Sequence, residues 1–443
     1  MRFRRSLGLS LALACLGAPR LYAQAFNLRD LLTQFLREGI TLAPPQAPFP
    51  SHEAHFIAAD SPQFQAVQQF SSALANELSA FPVASSAGGF TYRFDPALGV
   101  FTRSADSFGP VYAERAETIG KGKFNLGINF SHFSFDHIND LTLRDGDLRL
   151  VFTHQDVNHD ESDLQPFFEG DVITARLFLK IETDVTAFVV TYGVTDRFDL
   201  GVAVPLVHVN LEAQTDATIQ RIATGTTAPD IHRFLNGTSA ETFRQSGSAS
   251  GVGDVVLRGK FQILRGDRGG LAIAEDLRLP TGEERDLLGT GATQAKTFVI
   301  GSLHLGSFSP HVNAGYTWSA NTNDDTDIPD EVAYTLGFDW AVSPRMTFAV
   351  DVLGRDRLNS RVVHVVDTTF QANTSASGPP NIVTATFPRL VAEQGDSNSL
   401  QGSVGFKINP FGNFLITVNG LFSLNRKGLQ DDFAPLVAVD YSF

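Results

Sequence analysis

Charged residues recur at two-residue spacing on either side of a short turn, with Asp254, Arg258 and Lys260 before it and Asp276 and Arg278 after it. A strand sends alternate side chains to opposite faces, so each set shares one face of its own strand. Asp339, Asp351, Lys407, Asn419 and Asp440 occupy the same kind of position, polar places within otherwise apolar alternations. On a wall that encloses water, charges of both signs set up a transverse field that can orient a passing solute. The plainer reading is that they face the only water available and pair to brace the wall. For any single residue that reading carries more weight.

Other chemistry is thinner. The run Asn323-Asp324-Asp325-Thr326-Asp327, followed by Asp330 and Glu331, is dense in oxygen but lacks the spacing of a calcium loop, and reads as a solvated acidic loop. His52 and His55, like His154 and His159, lie in polar stretches without a third placed ligand, so no metal is assigned. Gly289-Thr290-Gly291 is followed by no helical pattern and is no phosphate loop. Neither a G-x-S-x-G elbow nor an H-E-x-x-H pair occurs, and no cofactor is expected.

The elements that would carry the charges are strands. From Lys121 onward apolar residues recur with a period of two, as in Phe124, Leu126, Ile128 and Phe130, or Val332, Tyr334, Leu336, Phe338 and Trp340. About twelve such segments are joined alternately by short turns and long polar connections, the signature of an all-β transmembrane antiparallel barrel. The chain ends on Val437, Val439, Tyr441 and Phe443, an apolar face opposite Ala438, Asp440 and Ser442. A bare apolar edge invites aggregation unless it closes a barrel in lipid, where no edge is left. Val439, Tyr441 and Phe443 also resemble the C-terminal targeting signal that bacterial outer-membrane barrels present to their assembly machinery. This last strand is expected to pair with the strand that begins near Lys121.

Two positions resist the pattern. Thr174 to Val194 changes phase, with Leu177, Leu179 and Ile181 odd-numbered but Phe188, Val190 and Tyr192 even, which suggests a bulge near 182–185 and a first part projecting beyond the membrane. Glu275 sits among Leu271, Ile273, Leu277 and Leu279 on the lipid face, where a charge is costly. Either a bulge turns it inward or the register differs.

Residues 1–25 read as a secretory signal, with Arg2, Arg4 and Arg5, an apolar Leu7 to Leu16, and Ala23-Gln24-Ala25 as a cleavage site. Its removal takes four arginines and no acids, shifting the net charge from −14 to −18. Such acidity argues against nucleic acid as a partner. The only cysteine, Cys15, would leave with the signal. No later stretch reaches about 18 consecutive apolar residues, so helical spans are excluded. With 37 Phe against 7 Tyr and 2 Trp, any aromatic girdle must be largely Phe. Residues 26–118 form a partly helical segment, either a periplasmic extension or a plug in the lumen. Leu28, Leu31, Leu32, Phe35 and Leu36 predict a helix ended by Gly39, and a second helix is expected from Pro62 to about Phe81. Gly89 to Phe101 predicts a hairpin turning through Pro96-Ala97-Leu98-Gly99. The barrel itself is assigned to 119–443.

Two stretches, TYGVTDRFDLGVAVPL at 191–206 and GVGDVVLRGKFQILRGDRGGLAIAEDLRLPTGEERDLLGTG at 251–291, resemble the outer-membrane family named after the meta-pathway of phenol degradation. The resemblance covers roughly residues 115–443, and Glu275 and Asp276 depart from the small residues expected there. It implies an outer-membrane barrel of a Gram-negative-type bacterium, embedded in lipid, that admits small, often hydrophobic or aromatic, solutes by diffusion. Starting and ending the barrel on the short-turn side puts both termini in the periplasm. Two other readings are a barrel enzyme hydrolysing lipid or peptide, and a non-conducting structural or adhesive barrel. Lipid or peptide hydrolysis by the purified protein would favour the first, and zero flux with and without the N-terminal segment the second.

Overall fold

The computed structural model describes residues 27–44, 89–95, 100–156, 164–225, 231–322 and 328–443, together with Phe56, Phe70, Ser71, Leu74 and Ser85. The signal segment, the proline-rich stretch, most of the second expected helix, His52, His55, His159 and the acidic run at 323–327 lie outside the described residues.

Alternating apolar residues with few internal prolines give long strands, and twelve of them close into a ring. They are β1 (Phe124–Phe135), β2 (Val172–Gly193), β3 (Phe198–Gln220) and β4 (Val255–Gly266). Next come β5 (Gly269–Leu279), β6 (Gln294–Leu303), β7 (Phe308–Ser319) and β8 (Glu331–Ser343). The last four are β9 (Met346–Asn373), β10 (Ile382–Phe411), β11 (Phe414–Ser423) and β12 (Phe433–Ser442). Each pairs antiparallel with the next, and β12 pairs with β1 through Tyr441↔Leu126 and Val439↔Ile128, as expected of the closing strand. Every ladder edge is therefore used, the condition for a strand structure to cross lipid.

The wall carries an outward apolar band. Phe124, Leu126, Ile128 and Phe130 of β1, Val332, Tyr334 and Leu336 of β8, and Val437, Tyr441 and Phe443 at the end of the chain are all exposed on the outer face. Aromatics ring the short-turn end, where Phe124 stacks on Tyr192 at 4.4 Å and Phe411 on Phe414 at 5.2 Å. The girdle is mostly Phe, as composition required.

Beyond the apolar band β2, β3, β9 and β10 run on, and here the structure corrects the sequence reading. The expected bulge near 182–185 is absent, because β2 and β3 pair in unbroken register from Val172↔Gln220 to Gly193↔Asp199. Odd-numbered residues of β2 face inward throughout. What inverts is the environment. In the band, Phe188, Val190 and Tyr192 face out to lipid. Past the band, Ile173, Leu177, Leu179 and Ile181 face in, and Arg176, Lys180 and Glu182 face out. Where water replaces lipid outside, the ordinary rule of apolar inside and polar outside returns. For the same reason much of 214–250 and 353–400, two of the long polar connections, is strand, including Ala240–Val252, which pairs with β3 from Thr218↔Ala240 to Leu206↔Val252.

Inside this extension lies the largest apolar core. Helix α1 (Leu28–Gln34) places leucines at i, i+3 and i+4, and they pack with Val207, Val209, Leu211, Phe234 and Leu287. Arg29 Nη1 donates to Glu284 Oε1 at 2.5 Å, and Ala43 N donates to Arg233 O at 2.9 Å. The expected helix is present and ends at Gly39 through a π turn, Phe35–Gly39. Its location differs from expectation. The barrel begins and ends at the short-turn end, but Asn27 lies with the long connections, because the apolar face of α1 is buried there. The expected hairpin forms as Tyr92–Asp95 with Val100–Arg103, and Tyr92 Oη reaches Asn413 Oδ1 in the β10–β11 turn at 3.2 Å. The segment before β1 thus contacts both ends of the barrel.

Candidate functional site: the charged lumen

Between the hairpin and β1, residues 107–119 arch through the bore. They are not part of any ladder, so their backbone amides need partners from side chains on the wall. Phe108 N donates to Thr347 Oγ1 at 2.8 Å, Tyr112 N to Asp351 Oδ2 at 3.2 Å, and Glu114 N to Asn313 Oδ1 at 2.6 Å. Ala116 N donates to Ser302 Oγ at 2.9 Å and Ile119 N to Asp199 Oδ2 at 3.0 Å. The acceptors belong to β9, β7, β6 and β3, so the arch crosses the barrel from one wall to the other. It ends at Gly193, where an added Cβ would lie 1.8 Å from the Gly120 carbonyl oxygen. Only glycine permits that approach.

Ion pairs fix the arch further. Arg115 pairs with Asp339, and both side chains are almost wholly buried, 3% and 0% exposed. Ser107 Oγ donates to Asp339 Oδ1 at 2.8 Å, and Arg115 Nη1 donates to Ser107 O at 3.2 Å. His311 Nε2 donates to Asp351 Oδ1 at 2.6 Å from the wall. Towards the short-turn end His304 Nε2 donates to Glu117 Oε1 at 2.7 Å.

Above the arch, towards the long connections, a row of charges runs along one level of the ladders: Arg258↔Asp276, Asp276↔Lys296, Lys296↔Thr317, Thr317↔Glu331 and Glu331↔Arg357. Arg258 Nε and Nη2 each lie 2.5 Å from an oxygen of Asp276, and its Nη1 lies 2.5 Å from Glu114 Oε1 on the arch. Arg355 and Arg357 present their Nε atoms to Glu331 Oε2 at 3.5 and 3.7 Å. These side chains line a cavity of about 170 Å³, with Tyr112 and Glu114 of the arch on one side.

The candidates from sequence divide by where they point. Arg258, Asp276 and Arg278 line the cavity. Lys260, Asp339, Asp351 and Lys407 instead hold the arch: Lys260 Nζ reaches Arg115 O at 3.3 Å and Glu114 Oε2 at 3.5 Å, and Lys407 Nζ reaches Phe108 O at 3.4 Å. Asp254 turns to the β5–β6 connection, accepting from Gly282 N at 3.1 Å and from Thr290 N and Oγ1 at 2.8 Å each. Val439, Tyr441 and Phe443 face outward on β12. Glu275 keeps the register and stays outward, where Thr297 Oγ1 donates to it; no bulge turns it inward.

Sequence reading missed Glu114 and Arg115, because nothing local says that their segment enters the bore. It missed Lys296 and Glu331, which lie at strand ends next to the long connections, and Arg355 and Arg357, which lie within β9. For Glu331 the available signal was its parity with the inward Ala333 on the same strand.

Residues 168–379 match the family described as "Putative MetA-pathway of phenol degradation". No curated protein matches the chain. Among solved structures it is similar to the COG4313 outer membrane channel from Pseudomonas putida F1, at 13% identity over 74% of this chain and 98% of that one, with a TM-score of 0.40. It is similar to a Pseudomonas aeruginosa FadL homologue, at 12% identity over 82% and 99%, with a TM-score of 0.32. A third is the Ralstonia pickettii toluene transporter TbuX, at 11% identity over 73% and 90%, with a TM-score of 0.28. The barrel assignment rests on the closed ladder, and the similarity to the family described as a putative MetA-pathway of phenol degradation rests on residues 168–379, just under half of the chain.

Proposed function

We propose that this barrel lies in the outer membrane of a Gram-negative-type bacterium and admits small, hydrophobic or aromatic solutes by passive diffusion, with residues 26–118 as its plug. The short-turn end faces the periplasm and the long connections face outward. The observation that carries the reading is the arch at 107–119, a segment held across the bore by side chains rather than by strand pairing. Such contacts can be released one by one without opening the wall, which suits a removable obstruction. The family match supports the solute class, since its description concerns phenol degradation. Val439, Tyr441 and Phe443 are assigned to recognition by the barrel-assembly machinery, and their outward row on β12 is consistent with that role.

The test compares the full chain with a deletion of residues 26–118 in planar bilayers. The reading expects low conductance from the first and a clear rise in the second. Equal conductance from both removes the plug. Absence of permeation by a neutral aromatic such as benzyl alcohol in either form removes the transport function.

A further inference from the structure

The cavity above the arch holds one lysine, Lys296, that no carboxylate among the described residues pairs with. The chain carries a net charge of −14, yet of the ionisable residues lining this cavity five are Lys or Arg and three are Asp or Glu. The carboxylates are already engaged. Asp276 gives both oxygens to Arg258, Glu114 also meets Arg258, and Glu331 faces Arg355 and Arg357. Lys296 stands directly across the ladder from Asp276, but Asp276 is turned to the neighbouring strand. Among the described residues Lys296 has no ion-pair partner, and its Nζ lies 5.6 Å from the centroid of the Phe298 ring. The Arg258 guanidinium lies 5.4 Å from the same ring.

An ammonium without an ion-pair partner on a recessed wall attracts an anion. The other linings limit which anion fits. Phe298, Tyr112, Leu353 and Ile328 contribute apolar surface to the same space. A cavity of about 150 Å³ holds a benzene ring, and this one measures about 170 Å³. We infer that the cavity is a binding site for a small monocyclic aromatic carboxylate, with Lys296 as the contact for its carboxylate and Phe298 and Tyr112 beside its ring. This rests on reading the bore as a solute path and narrows its cargo to an acid with one ring. Arg258 serves the site as a positioning residue, because it takes up Asp276 and so leaves the ammonium of Lys296 to the solute.

Binding of benzoate, acetate and benzyl alcohol to the detergent-solubilised full chain, measured by titration calorimetry, tests the inference. Benzoate should bind about tenfold or more tightly than either other probe, since a charged hydrogen bond and a buried ring both contribute. Its affinity should weaken as sodium chloride rises. Lys296→Gln should cost benzoate about tenfold and leave benzyl alcohol unchanged, while Lys296→Arg retains benzoate. Equal binding of benzoate and benzyl alcohol, or an equal loss of both in Lys296→Gln, overturns the carboxylate contact. Acetate binding as tightly as benzoate overturns the ring. Should Lys296→Gln fail to give a folded, heat-modifiable barrel, the salt dependence and probe ranking of the wild type decide alone. Benzyl alcohol permeation into vesicles is scored separately. Permeation without a preference for benzoate defeats this inference and spares the transport reading, whereas selective benzoate binding without permeation does the reverse.

Discussion

The buried pair of Arg115 and Asp339 offers the sharpest test of how the arch is held. Asp339→Leu removes the acceptor for Arg115 and for Ser107 Oγ and leaves a guanidinium enclosed by protein. Breaking one side of a buried ion pair costs about 3–5 kcal/mol, because the remaining charge stays desolvated. The barrel wall, closed by twelve ladders, will not absorb this by unfolding, so the cost falls on docking of the arch. At about 1.4 kcal/mol per factor of ten, the docked population should fall by roughly one hundred to several thousand fold relative to the undocked one. Single-channel recording should then show frequent open periods where the wild type is mostly closed, and amides at 108, 112, 114 and 116 should lose protection in hydrogen exchange. The double variant Arg115→Met, Asp339→Leu separates charge from packing. Replacing both partners by apolar groups is often neutral, so it should return close to wild-type closure. A single variant that stays closed and protected refutes the reasoning. A double variant as open as the single one does so equally, since volume rather than charge would then be responsible.

Three further outcomes are expected. Glu275→Leu should raise stability against guanidine in lipid vesicles by about 1–2 kcal/mol, because it removes a carboxyl group from the lipid face; a loss of stability would mean that its hydrogen bond from Thr297 outweighs the lipid cost. Deletion of Phe443, whose amide donates to Phe124 O at 2.9 Å, should lower the yield of assembled barrel without changing the conductance of the molecules that assemble, and normal yield in cells would remove its signalling role. Burial works against the charged form of Glu117, but the hydrogen bond and charge of His304, with Arg115 behind, hold its pKa below the usual carboxylate range. A depressed pKa adds stability that is present above the undocked value, about 4.3, and lost as pH falls through the docked value. Conductance of the wild type should therefore rise on acidification below about pH 4.3, and His304→Gln should flatten that rise; conductance that falls in acid contradicts the assignment.

What the sequence determined by itself was whatever depends on a period of two. Val332 to Trp340 and Val437 to Phe443 announce outward faces because a strand alternates wherever it lies, and so the strand count, the closing pair of β12 with β1 and the leucine face of α1 were all legible. Glu275 was legible too, as an outward charge, although it conflicted with the lipid. Where the surroundings change along one strand, the same pattern becomes ambiguous. In β2 the alternation from Val172 to Gly193 never slips, yet Leu177 and Val190 lie on opposite faces because water borders one half and lipid the other. Only the tertiary structure decides where that border falls, and with it whether a Thr- and Ser-rich stretch such as 240–252 is loop or strand. The lumen depends on still more distant relations. Arg258, Asp276, Lys296, Glu331 and Arg357 come to one level through the lengths of five turns and the tilt of six strands. Arg115 meets Asp339 across 224 positions of chain. No local period carries such separations, because they are set by closure of the ring.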